Sequence, residues 1–166
     1  FGDLYDQNRN KAFIDKLLVH TVKVYKSKGK YVVPVNQTQS RMVKNFFETY
    51  DKYVDSVFYD ASAWSMSNFY NMKSRKLKNF TTDSEILSTN DLVKNIKVNK
   101  SNYSYILDWD DYNSVAALNY LQKNNLITYS AFKPFSVRVN ETSGIKNFNY
   151  GSILIPVSKQ KISSDK

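Results

Sequence analysis

Asp55, Asp60, Asp108 and Asp110 come nearest to residues whose type and spacing could do chemistry. A paired-carboxylate glycosidase holds two such groups about 5–5.5 Å apart for retention, or about 6.5–9.5 Å apart for inversion. Asp108 and Asp110 stand two positions apart at the end of a strand-like run, so they share a face and form the only pair that sequence alone brings together. Asp110 or Asp111 also reads as the cap of the helix that follows. The chain has one histidine, His20, and no cysteine. A catalytic zinc site takes about three protein ligands, usually with His or Cys among them, and this chain cannot supply that set. Cysteine nucleophiles are excluded, and a Ser–His–Asp triad would have to use His20, which sits in an amphipathic run and reads as structural. The chain is therefore expected to hold no metal and no cofactor, and not to be an enzyme.

The run Asp55-Ser-Val-Phe-Tyr-Asp-Ala-Ser-Ala-Trp64 sets Phe58, Tyr59 and Trp64 around Asp60. It is too aromatic for a linker and too polar for a plain core strand. One reading is an aromatic wedge, with Asp60 capping a helix that starts near Ala61. The other is a binding surface for sugar, peptide or a partner domain. Phe58, Tyr59, Asp60, Trp64, Asp108 and Trp109 are accordingly the candidate binding residues.

The elements that must position these groups follow from periodicity. The chain of 166 residues, 42% hydrophobic and 23% charged, is long enough for a buried core and has no apolar run of the ~20 residues that span a membrane. Ile14, Leu17, Leu18, Thr21, Val22 and Tyr25 predict a helix over 11–25, stopped by Ser27-Lys28-Gly29-Lys30 with Gly29 as its cap. Tyr31–Val35 reads as a short strand with Pro34 at its end. Met42, Val43, Phe46, Phe47 and Tyr50 form the face of a second helix. Residues 71–101 read as a polar insertion, with Thr82 or Asp83 starting one short helix at Glu85–Leu87 or Asp91–Lys94. Tyr103–Trp109, a helix bearing Val115, Leu118 and Leu121, and Leu126–Phe132 compose a βαβ unit with neighbouring parallel strands. Phe135–Val139 continues as a strand, 140–149 as a loop, and Tyr150–Pro156 as a closing buried strand. The expected fold is thus α/β: a small, mostly parallel sheet with flanking helices. Residues 1–30 form a helix and linker from a preceding region, 31–157 the α/β domain, and 158–166 a polar tail.

The net charge is +9. Its basic runs, Lys23–Lys30, Lys73–Lys78 and Lys159–Lys166, read as solvated turns and ends rather than as a nucleic-acid stripe. Nucleic acid is not an expected partner.

Taken in order, Tyr31-Val-Val-Pro-Val, Phe58-Tyr-Asp-Ala-Ser-Ala-Trp, Tyr105-Ile-Leu-Asp-Trp with Ala-Ala-Leu-Asn-Tyr-Leu, and Tyr150-Gly-Ser-Ile-Leu-Ile-Pro resemble one family. It is the long zinc carboxypeptidase-like proteins of the carboxypeptidase A superfamily in Bacteroidetes, in the region after their catalytic domain. The His-x-x-Glu pair and later His that bind zinc in that family have no counterpart here. The resemblance implies a non-catalytic accessory domain of an exported protein, periplasmic or extracellular, whose partners are neighbouring domains of its parent. Its role would be domain packing or recognition of substrate or partner. The alternatives are a free-standing peptide- or glycan-binding module and a carboxylate-only hydrolase.

Overall fold

The structure, a computed structural model, describes residues 1–3, 5–49, 65–90, 92, 98–139 and 144–162. It falls into two compact units, Phe1–Lys94 and Asn95–Lys166.

The first unit begins with helix α1 (Gln7–Val19), capped by the Asp6 carboxylate, which accepts the Arg9 N–H. Phe13, Ile14 and Leu17 recur at helical spacing and are fully buried. The helix ends well before residue 25. Thr21 takes a left-handed φ of 55°, Thr21 N–H bonds back to Leu18 O, and Val22 N–H to Leu17 O. This closure turns the chain so that Val22 and Val24 enter the core as extended residues.

Gly29 does not cap a helix. Lys28 and Gly29, with φ of 48° and 76°, form the two-residue turn of a hairpin between β1 (Tyr25–Ser27) and β2 (Lys30–Val32). Helix α2 (Ser40–Phe47) adds Val43 and Phe46 to the core, and a single turn, α3 (Met66–Phe69), leads to buried Met72. The expected helix near residue 85 is instead β3 (Ser84–Glu85), which pairs with β1. Asp83 explains its placement: its N–H donates to Lys26 O, and its carboxylate accepts the Lys28 N–H at the hairpin turn. Ile86, Thr89 and Leu92 are then buried.

In the second unit, β4 (Ser104–Leu107), helix α4 (Ser114–Lys123) and β5 (Tyr129–Ser130) follow one another. The hairpin β6 (Phe135–Arg138) and β7 (Ile145–Phe148) and then β8 (Ile153–Pro156) complete it. The expected mostly parallel sheet is absent: the described residues form three small sheets, ordered β2-β1-β3, β4-β8-β5 and β6-β7, and every pairing is antiparallel. The βαβ unit with neighbouring parallel strands fails for a specific reason. β8 lies between β4 and β5 and pairs antiparallel with both, so those two strands point the same way without touching. Ile153-Leu-Ile is the most apolar strand of this unit, and a central position covers more of it than an edge would. Strand–helix–strand order reveals nothing about a later strand inserting between the two. Part of the expected 140–149 loop is strand as well, because Ile145–Phe148 pairs with Phe135–Arg138.

Candidate functional site

The β4–α4 connection carries Asp108 and Trp109, and each aspartate in it is committed to local structure. Asp108 accepts the Asp110 N–H at 3.1 Å and pairs with Lys146 Nζ at 2.8 Å. Its backbone oxygen also receives the buried Ser114 hydroxyl at the start of α4. Asp110 Oδ2 accepts Asn149 Nδ2 at 2.7 Å, and Asp111 accepts the Asn113 N–H at 2.8 Å. The helix N-cap is Asn113, not Asp110 or Asp111. These bonds tie the loop to α4 and to the β7–β8 connection.

Trp109 is held from one side by Gly151, whose φ of 81° belongs to the left-handed region. A Cβ at that position would lie 2.9 Å from Trp109 Cδ1, 3.2 Å from Cγ and 3.3 Å from Nε1, so only glycine lets one face of the five-membered ring approach. About a third of Trp109 remains exposed (37%). Backbone bonds fix Gly151 in turn: its N–H donates to Ala131 O, and Ala131 N–H donates to Ser152 O.

Trp109 borders an open cleft of about 480 Å³ between α4 and the β8–β5 face, within the size range of small-ligand sites. Leu118 and Gln122, one turn apart on α4, form one wall. Thr128 and Ser130 form another at strand spacing, and Gly151 and Ile153 form the floor at the same spacing. Helical and strand periods therefore converge on a single concavity. Among the described residues its wall carries an indole, two hydroxyls, a carboxamide and aliphatic surface, with no carboxylate, imidazole or amine.

Of the residues singled out in the sequence, Trp109 lines the cleft and Asp108 braces the loop that carries it. Phe58, Tyr59, Asp60 and Trp64 lie outside the described residues. Gln122, Thr128, Ser130 and Gly151 were not singled out. Spacing within α4 and β5 could have paired each set, but the order β4-β8-β5 was needed to bring the sets together. Among the described residues no group of His, Cys, Asp or Glu could hold a metal ion, and no helix is long and apolar enough to cross a membrane. No family model, curated protein or solved structure matches the chain.

Proposed function

We propose that the chain is a non-catalytic accessory domain that recognises a ligand through the Trp109 cleft, within a larger exported peptidase-like protein. The observation that carries this reading is the cleft itself: a tryptophan about a third exposed and seated on a glycine, beside described polar side chains that hold no proton-transfer group. Acid–base hydrolysis needs a positioned carboxylate or imidazole beside the substrate. The nearby candidates, Asp108 and Asp110, bond to Lys146 and Asn149 instead. The parent protein is inferred from the resemblance of the four segments.

Titration of isotopically labelled protein with pools of glycans and peptides tests the reading by nuclear magnetic resonance. Shift changes should cluster at Trp109, Gln122, Thr128, Ser130 and Gly151, with every added compound recovered intact. Changes confined to other residues, or turnover of an added peptide or glycan, would overturn it.

A further inference from the structure

Building on that reading, we infer that the occupant of the Trp109 cleft is a neutral saccharide, stacked on the indole and hydrogen-bonded by Gln122, Thr128 and Ser130. Charge gives the first argument. With no ionised group among the described wall residues, a charged ligand would lose hydration there and gain no counter-ion. A wholly apolar ligand would strip water from two hydroxyls and a carboxamide without replacing the lost bonds. What remains is a neutral ligand with both apolar and polar surface.

Hydrogen-bonding capacity narrows the class. Thr128 and Ser130 each donate one bond and accept others, and the Gln122 carboxamide does both through separate atoms. Vicinal sugar hydroxyls are donor and acceptor at once, so each can meet any of these groups in either sense. A peptide offers its donors and acceptors at fixed alternating positions and is best met by a backbone ladder. Here β5, whose residues flank the cleft, is only Tyr129–Ser130, too short to give an added strand more than a few bonds.

The indole supplies the remaining feature. The axial C–H groups of a pyranose form a weakly positive, apolar face, and the face of an aromatic ring is negative. Trp109 is anchored against Gly151 and its side chain stays partly open to solvent, so a stacking platform is fixed before a ligand arrives. Pre-fixed aromatic surface loses little conformational entropy on binding.

The test uses the full chain with Trp64→Phe, which leaves Trp109 as the sole source of indole emission because the sequence has two tryptophans. The probes are cello-, chito-, manno- and malto-oligosaccharides of six units, an uncharged Gly–Ser peptide of similar length, and heparin. At least one neutral oligosaccharide should shift Trp109 emission saturably, with Kd of about 1 mM or tighter. That affinity should be nearly independent of salt. Gln122→Ala, at an exposed helix position, should weaken it by about tenfold, the loss of one good hydrogen bond. If only the peptide or heparin shifts the emission, the saccharide assignment is wrong while the cleft remains a binding site. If no probe shifts it, the assignment and the recognition reading fall together.

Discussion

The two units differ in how much of their apolar content they gather into a buried cluster. In Phe1–Lys94 the described core contains Phe13, Ile14, Leu17, Val22, Val24, Tyr31, Val43, Phe46, Met72, Ile86 and Leu92, all buried. Phe13 lies at its centre, with the rings of Phe1, Phe46, Phe47 and Tyr70 at centroid distances of 5.2–5.8 Å. In Asn95–Lys166 the buried apolar residues among those described are Phe148 and Ile153, whereas Tyr103, Tyr120, Phe132, Ile145 and Tyr150 are mostly exposed. Both units expose large apolar side chains, Tyr5, Phe69 and Leu87 among them in the first, but the extended buried cluster among the described residues lies in the first. Burial of such residues stabilises a fold, whereas exposing them forgoes that gain and leaves contact area for a ligand. The contrast places the larger buried core in the first unit.

Truncation in each unit is the strongest way to break the comparison. Phe13→Ala should cost about 3–5 kcal/mol, as fully buried aromatic truncations do. Leu118→Ala should cost less than ~2 kcal/mol, because Leu118 is only half-buried and borders open space. Urea denaturation followed by circular dichroism checks both. Equal losses would mean that the second unit is as well packed as the first.

Gly151→Ala comes next. It sets a Cβ against Trp109 and forces an L-residue to a φ of 81°, a backbone penalty of about 1–3 kcal/mol. The indole must also move, so ligand response at the cleft should disappear together with the near-ultraviolet signal of Trp109. Retention of both signals would show that the glycine does not set the indole.

Much of the local structure was legible in the sequence and the pairing was not. Helical spacing marked the buried face of α1 through Ile14 and Leu17 and that of α2 through Val43 and Phe46, whereas in α4 Val115 is exposed and Leu118 and Leu121 are only half-buried. It overran the end of α1 because Val22 and Tyr25 keep the helical rhythm although they lie in extended chain. Gly29 drew the helix end toward itself, since glycine is the usual left-handed cap. Here α1, α3 and α4 place Thr21, Asn71 and Asn125 in that conformation instead, and the glycine makes a hairpin turn. The strand order β4-β8-β5 is a long-range choice made by Ile153–Ile155 late in the chain, and no local pattern announces it. The cleft inherits that limit: Trp109 stood out by type, whereas Gln122, Thr128 and Ser130 are ordinary polar residues until the sheet is assembled.

Thr21→Gly should sharpen the account of α1 with a small gain. A β-branched residue at φ 55° is strained by roughly 1–2 kcal/mol, and glycine removes that strain. The change also gives up the Gln39 Nε2 bond to the Thr21 hydroxyl and adds unfolded-state freedom, leaving a net gain of about 0.5 kcal/mol. A lower melting temperature would mean that the Gln39 contact outweighs the strain.

The smallest effect concerns acid. Burial raises the pKa of Asp3, but the N–H groups of Tyr5 and Asp6 and the Arg9 guanidinium outweigh it and hold the carboxyl below its ordinary value. Burial likewise raises the pKa of Asp15, but the Lys11 ammonium and the Thr89 hydroxyl outweigh it and lower the value, at a more exposed group whose pairing is screened by solvent. A depressed folded-state pKa means that the unfolded chain takes up the proton first as pH falls. The contribution is therefore complete well above the unfolded carboxylate value of about 4, and it is lost as pH drops through the lower folded value. Asp3→Asn keeps an oxygen for the Tyr5 and Asp6 N–H groups but loses the charge facing Arg9. At neutral pH the variant should be less stable than the parent by under ~1 kcal/mol, the usual limit for a partly exposed ion pair. Urea midpoints of the two proteins should converge as the pH is lowered through the depressed folded-state value of Asp3, below which the parent carboxyl is protonated in both states. A difference that persists unchanged at that pH would assign the cost to altered packing at residue 3 rather than to its charge.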